Sequence, residues 1–312
     1  MQESKTLQNC TVCGGTLTPL FPKVHDPLTN DAFAIYRCSR CGLGHTVPQP
    51  ADLSPYYASQ YYGNRHGFTL RHCIKRRLRF IASAMQPGTG KRLLDIGCGD
   101  GSFLVAAKKA GWNVMGTELN PKPARDSGLD VRERIEQVPD GAPFDCITMW
   151  HTLEHMRDIK STLARVTGLL RPDGRLFIAV PDNGGFQAKI FRHGWLHVDV
   201  PRHLYHFDAS SLIFCLKSSG YTVERQWHQE LEYDLLGWSQ SALNCIMPYP
   251  NVFFDCLTGK QKGYSRSVVL SSFMLGSVLT FLSLPAVAAG TLCRRGGTLI
   301  AVARKYQEES NS

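Results

Sequence analysis

Between Leu94 and Phe103 the chain reads Leu94-Asp95-Ile96-Gly97-Cys98-Gly99-Asp100-Gly101-Ser102-Phe103. An apolar run turns through three alternating glycines into a helical pattern reaching about Ala110. No other stretch constrains the fold as much. A buried strand feeding a glycine turn and a helix opens a strand–helix–strand unit of a mainly parallel sheet. Such glycines let a ligand lie directly against backbone, and the helix offers free N–H groups at its N-terminus. The spacing is G-x-G-x-G with an acid two residues before the first glycine, so it departs from the G-x-G-x-x-G dinucleotide fingerprint. Residues 113–118 form a second strand pattern that ends in Glu118, 17 residues past Gly101. An acid at that place can accept two hydrogen bonds from a ribose diol. Without the glycine loop upstream it would read as a solvated strand-end glutamate.

The same rhythm continues. Residues 128–133 read as a third strand and Phe144–Trp150 as a fourth. A helix over 158–170 is closed by the turn Arg171-Pro172-Asp173-Gly174. Residues 175–180 read as a fifth strand, apolar throughout after Arg175, as a strand covered on both faces should be. Asp208 is placed to cap a helix that Gly220 stops. Tyr221–Trp227 gives a sixth strand and 298–304 a seventh. The expected architecture is α/β: a doubly wound sheet over 91–312 with a helical insertion at 229–296, preceded by a small ribbon over 1–50 and a basic helical linker over 51–90.

Asp95 to Gly101, Glu118, Phe144-Asp145, the box His151-Thr152-Leu153-Glu154-His155 and the turn Leu170-Arg171-Pro172-Asp173-Gly174 together resemble a class I S-adenosylmethionine (SAM)-dependent methyltransferase. The resemblance covers roughly 91–306, apart from the part after Trp227. It implies a seven-stranded Rossmann-like sheet whose last strand is antiparallel and lies between the fifth and sixth. It implies SAM as cofactor, held by Asp95, Gly97, Cys98, Gly99, Gly101, Glu118 and Trp150. An acid often stands beside the adenine after the third strand; here Arg132-Glu133-Arg134-Ile135-Glu136 leaves that role unassigned.

In such a sheet the reacting groups sit at the carboxyl ends of the strands. Three groups qualify: His151, Glu154 and His155 after the fourth strand, Pro181-Asp182-Asn183 after the fifth, and the run from His197 to His206. A histidine titrating near pH 6.5 can take the proton of a hydroxyl or an acidified carbon as a methyl group transfers. His155 is the first candidate base and His151 the second, with Glu154 orienting and His203 and His206 as downstream alternatives. The Glu154-His155 pair also resembles the strand-four box of nucleotide-sugar C-methyltransferases, which likewise carry an N-terminal four-cysteine zinc module. Thr152 stands where their tyrosine is expected. Within the downstream run, His197, Asp199, His203 and His206 offer metal-ligand atom types, but their spacing fits no helical or knuckle motif. Loop-shaping hydrogen bonds, or a substrate lid carrying Arg202 for a phosphate or carboxylate, are the competing readings.

Cys10-x-x-Cys13 and Cys38-x-x-Cys41 form a second signal, each pair followed by a glycine. Four thiolates at this spacing make a tetrahedral structural zinc site with no open position; two disulfides are the alternative. No signal peptide precedes the first pair, and the other seven cysteines are scattered, which suits a reducing cytosol. A ribbon of ~50 residues buries little core, so the metal would supply much of its stability.

The chain carries 35 Lys+Arg against 26 Asp+Glu, a formal charge of +9. No acid occurs between Asp52 and Asp95, an interval holding Arg65, Arg71, Lys75, Arg76, Arg77, Arg79, Lys91 and Arg92. With Phe68, Ile74, Leu78, Ile81 and Met85 at near-helical spacing, this reads as a basic amphipathic helix. It would pack on the sheet with a solvated face, meet an anionic membrane, or grip an RNA backbone. Residues 267–293 contain no charge, and Lys260, Lys262, Arg266, Arg294 and Arg295 flank them. Length allows a membrane span. A single crossing would put the seventh strand on the far side, severed from its sheet, so the membrane reading is a re-entrant or interfacial helical hairpin on the cytoplasmic face. Burial in the protein or in a dimer is the alternative.

These features together lead to the expectation of methyl transfer from SAM to a hydroxyl or carbon of a small or lipid-linked acceptor of sugar or quinone type, at a membrane surface. An RNA methyltransferase using ribbon and basic helix, and a non-enzymatic zinc-binding membrane adaptor, are the other classes the sequence supports.

Overall fold

The computed structural model describes residues 7–57, 69–86, 89–141, 143–259 and 263–307. Arg65, Phe68, Lys260, Lys262 and the tail beyond Gln307, all used above, lie outside the described residues. In chain order the elements are β1 (Leu17–His25), β2 (Ala32–Cys38), β3 (Gly44–Val47), α1 (Leu70–Ala84), β4 (Arg92–Ile96), α2 (Ser102–Lys109), β5 (Asn113–Thr117), α3 (Lys122–Asp126), β6 (Val131–Arg132) and β7 (Phe144–Trp150). There follow α4 (Ile159–Leu169), β8 (Leu170–Pro181), α5 (Phe186–Phe191), β9 (Tyr205–His206), α6 (Ala209–Ser218), β10 (Tyr221–Trp227), α7 (Leu231–Ile246), α8 (Val252–Leu257), α9 (Arg266–Leu282), α10 (Leu284–Leu292) and β11 (Thr298–Lys305).

The chain divides into two compact units. One comprises 71–180, 212–227 and 300–312 and carries the seven-stranded sheet, in the order β10-β11-β8-β7-β4-β5-β6. Pairs β4–β5, β4–β7, β5–β6 and β7–β8 are parallel, and β11 runs antiparallel to β10. The last strand therefore lies between the fifth and sixth, as the resemblance implied. Leu93, Leu104, Phe177, Ile300 and Val302 share its core, with Ile81 of α1 packed in. Asp158 caps α4 by accepting the Ser161 N–H at 3.0 Å, and Asp208 accepts the Ser211 N–H at 2.8 Å at the start of α6, the latter as the sequence indicates. The Arg171–Gly174 turn is absorbed into β8. Phe144 pairs with Leu170 and Cys146 with Arg175, so four residues of β8 bulge out of register.

The other unit comprises 1–70, 181–211 and 228–299. It holds an antiparallel sheet in the order β1-β2-β3-β9 and helices α7 to α10. This corrects the expected division at residues 50 and 90. The ribbon is not a separate domain: its fourth strand is Tyr205–His206, and its Phe33 and Ile35 share a core with Trp195, Val198 and Val200. The physical reason is size, since a ribbon of ~50 residues cannot bury enough apolar surface alone. Of the expected linker, α1 belongs to the unit of the seven-stranded sheet from Arg71 onward. Finally, α9 and α10 do not form a hairpin. Their axes turn by 43° at the break, where Ser283 and Pro285 interrupt the helix.

Candidate active site

The strand order places the glycine loop at a particular point of the sheet. From β4 the chain lays down β5 and β6 on one side, then returns to lay down β7 and β8 on the other. The loops after β4 and β7 thus leave the carboxyl ends of neighbouring parallel strands, where strand order reverses. Open α/β sheets bind ligands in the crevice at that place. Residues 97–101 follow β4, and the histidine box follows β7.

The three glycines have different tasks. All have positive φ: 75° at Gly97, 58° at Gly99 and 80° at Gly101. A Cβ at Gly97 would lie 2.5 Å from Thr152 Oγ1, and one at Gly101 2.5 Å from Leu129 Cδ1. At Gly99 it would meet nothing within 4 Å. Gly97 and Gly101 let the protein pack on itself, whereas Gly99 leaves its backbone open to a ligand. Its N–H donates to Glu118 Oε2 at 2.9 Å, so the carboxylate already faces the loop. Thr152, the residue replacing the expected tyrosine, closes on Gly97 and ties the two loops together.

Asp95 is buried at the end of β4 and accepts a 2.5 Å hydrogen bond from Thr148 Oγ1. Burial pushes its carboxyl up to about 7, against the pull of that hydrogen bond and of the Arg77 charge. The Arg77 guanidinium lies 5.0 Å from the centre of the Trp150 ring, and the residue is 7% exposed. The basic face of α1 therefore excludes Arg77. Its exposed cations are Arg71, Lys75 and Arg79, an i, i+4, i+8 stripe. Counting charges groups Arg77 with this stripe and so misses its place in the site. The available signal is its helical phase, shared with Cys73 and Ile81, which are also buried.

Trp150 lies under Arg77 and edge-on to Phe103, with 5.9 Å between ring centres. Its indole N–H is buried with no hydrogen-bond partner among the described residues, which leaves one donor for a bound ligand. Cys98 is buried, and burial raises its thiol far above the usual range. Its contribution is through the backbone, whose N–H bonds Thr117 O at 3.0 Å.

In the box, His151 has φ 53° and donates its N–H to Ala179 O at 2.9 Å. A left-handed conformation is costly for a histidine and must be held by its surroundings. Its Nδ1 lies 3.7 Å from Glu154 Oε1, and the Glu154 side chain is 1% exposed. The 3-10 turn Leu153–His155 follows, with half-buried His155 at its end. The sequence ranked His155 ahead; the structure gives His151 a carboxylate neighbour and a strained backbone as well.

The downstream run is organised differently. Arg202 is 2% exposed and bonds Asp26 Oδ1 at 2.8 Å, Asp199 Oδ1 at 2.6 Å and Tyr56 O at 3.0 Å. Two carboxylates already neutralise it, so the reading of Arg202 as a lid residue for a phosphate or carboxylate is corrected. His206 lies in β9 with its Nε2 2.9 Å from Thr46 Oγ1, which donates to His203 O at 2.6 Å. His203 Nδ1 lies 2.9 Å from His197 O. These contacts tie His206 to the ribbon sheet and seat the His203 ring on the backbone of its own run. Asp182, past β8, accepts the Gly184 N–H at 2.8 Å and shapes a turn.

The sulfurs of Cys10, Cys13, Cys38 and Cys41 lie within 4.8 Å of one another. Cys10–Cys41 and Cys13–Cys38 are 3.6 and 3.4 Å apart, beyond a disulfide at about 2.05 Å and close to the edge, about 3.7 Å, of a tetrahedron with 2.3 Å zinc–sulfur bonds. The N–H groups of Arg40 and Cys41 point at Cys38 Sγ, which helps bring its thiol down to about 7. Gly14 and Gly42 take φ 73° and 78°, the turn each knuckle needs. The donor set fits a closed zinc site.

Residues 65–226 match the family described as "Methyltransferase domain". The ubiquinone biosynthesis O-methyltransferase of Xanthomonas axonopodis pv. citri is 33% identical over 166 residues, covering 47% of this chain and 69% of that protein. The protein of the same name from Actinobacillus pleuropneumoniae serotype 7 is 34% identical over 119 residues, covering 33% and 51%. The chain spans about half the length of the first of these curated relatives. Among solved structures, the Haemonchus contortus Phospholethanolamine N-methyltransferase 2, in complex with phosphomonomethylethanolamine and S-adenosylhomocysteine, superposes with a TM-score of 0.54 at 16% identity. The match covers 97% of this chain and 71% of that chain, a likeness of fold.

Proposed function

The chain belongs to the methyltransferase-domain family, class I and SAM-dependent in its fold, and we propose that it moves the methyl group of SAM to a hydroxyl of a small or lipid-linked acceptor of quinone type. One observation carries this reading: the open Gly99 backbone with Glu118, and the histidine box, flank one reversal point of the sheet. SAM supplies an electrophilic methyl group there. Glu118 would accept the ribose hydroxyls, the open face of Gly99 would let the cofactor lie against backbone, and the Arg77 guanidinium beside Trp150 would match the carboxylate of its methionine end. The acceptor oxygen would bond to that methyl carbon as its bond to sulfur breaks and S-adenosylhomocysteine leaves, and His155 would take the hydroxyl proton. His151, kept in place by Glu154, is the second base. The names of the curated relatives favour a quinone-type phenol over a sugar. The RNA reading loses Arg77 from its binding face. Cys10, Cys13, Cys38 and Cys41 hold one structural zinc and take no part in transfer.

The test measures S-adenosylhomocysteine release with phenolic quinone precursors, lipid-linked sugars, nucleotide sugars and RNA. Turnover is expected with the phenols. Turnover with RNA alone, or tight SAM binding with no turnover on any acceptor, overturns the proposal.

A further inference from the structure

Helices α9 and α10 bury the wrong residues for a water-facing pair. Their buried positions are Ser272, Gly276, Ser283, Val287 and Gly290, a single stripe along both helices at steps of three, four and seven. Phe253 of α8 seats on Gly276, where a Cβ would come within 2.6 Å of its ring. The outward face is large and apolar: Leu270 61%, Met274 62%, Val278 55%, Phe281 73%, Leu282 62% and Leu292 85% exposed. Small residues inward and large apolar residues outward is how helices pack when lipid, not water, is their solvent. A contiguous exposed apolar face of this kind marks an interaction surface.

Charge identifies the occupant. No acid occurs between Asp255 and Glu308, while Arg266 precedes the face and Arg294 and Arg295 follow it, all three exposed. Two copies meeting through this face would appose cationic ends in either orientation, which disfavours a dimer. An anionic surface matches both ends at once. The geometry adds the pose. The helices continue each other with a 43° bend, and the buried stripe runs the length of both, so the pair lies along its own unit as a kinked rod. The chain leaves the seven-stranded sheet at β10 and returns at β11, so both ends of the rod stay on one side of a bilayer.

We propose that the outward face of α9–α10 docks in the plane of an anionic bilayer, with its apolar side chains at the headgroup–acyl boundary and Arg266, Arg294 and Arg295 among the lipid phosphates. This stands on burial and charge and is independent of the methyl-transfer reading.

The experiment is flotation of the full chain with vesicles of phosphatidylcholine plus phosphatidylglycerol, and with phosphatidylcholine alone. Wild type should float with the mixed vesicles and much less with the neutral ones. Met274→Glu/Phe281→Glu replaces two exposed side chains and should lower partitioning about a hundredfold, since each lost apolar contact is worth about a factor of ten. SAM affinity, measured in the same preparation, should not change. A wild type that ignores both vesicle types overturns the proposal. So does a lipid-free dimer, seen by analytical ultracentrifugation, that the same two charges dissociate while vesicle binding stays absent.

Discussion

Residues 151–155 and 197–206 look alike in sequence: short, rich in histidine and acid, and placed after strands of the same sheet. The structure gives them different partners. In the first, His151 is held at positive φ with Glu154 beside it, on the loop that borders the glycine turn. In the second, Arg202 is saturated by Asp26 and Asp199, and His206 is hydrogen-bonded into the ribbon sheet. The difference lies in where the hydrogen-bonding capacity goes. A ring nitrogen bonded to a neighbouring hydroxyl braces a fold, and a buried arginine with two carboxylates has its charge already met. Composition does not distinguish the two cases; the partners do.

Kinetics offers the sharpest way to break this contrast. His155→Ala should lose roughly 10²–10⁴ in turnover, the usual cost of a positioned base, with SAM affinity retained. His151→Ala should lose less, and His206→Ala should leave turnover within a few-fold of wild type while lowering stability. Should His206→Ala or His203→Ala abolish turnover in a folded protein, the chemistry belongs to the downstream run and the contrast is reversed.

Stability sharpens it from the other side. Arg202→Met leaves Asp26 and Asp199 without their buried counter-charge, and breaking such a pair from one end costs about 3–5 kcal/mol. Chemical denaturation should show that loss, with elemental analysis still giving one zinc per chain. A variant as stable as wild type would return Arg202 to the surface-ligand reading, and zinc-free wild type purified without chelator would remove the metal.

The smallest effect is on cofactor affinity. Glu118→Ala removes a charged acceptor, worth about 1.5–3 kcal/mol. Titration calorimetry should register that weakening of SAM binding, and an unchanged affinity would take the ribose role away from Glu118.

Much of this protein was legible in local pattern. The strand–glycine–helix unit, the strand Tyr221–Trp227, the cap at Asp208, and the knuckle pairs around Gly14 and Gly42 all emerge where the sequence puts them. Each depends on residues a few positions apart, so periodicity and turn chemistry suffice. The tertiary structure alone decided the rest. Arg77 turns inward over Trp150 while Arg71, Lys75 and Arg79 stay in water. Thr46 meets His203 from 157 positions away, making the histidine run part of the ribbon. The rod of α9 and α10 shows its small residues to the protein and its large ones outward. Burial and partnership are set by what the fold brings alongside. A charge or a hydrogen-bonding group therefore acquires its role only when distant segments meet, because desolvation and pairing, which fix its energy, are properties of that meeting.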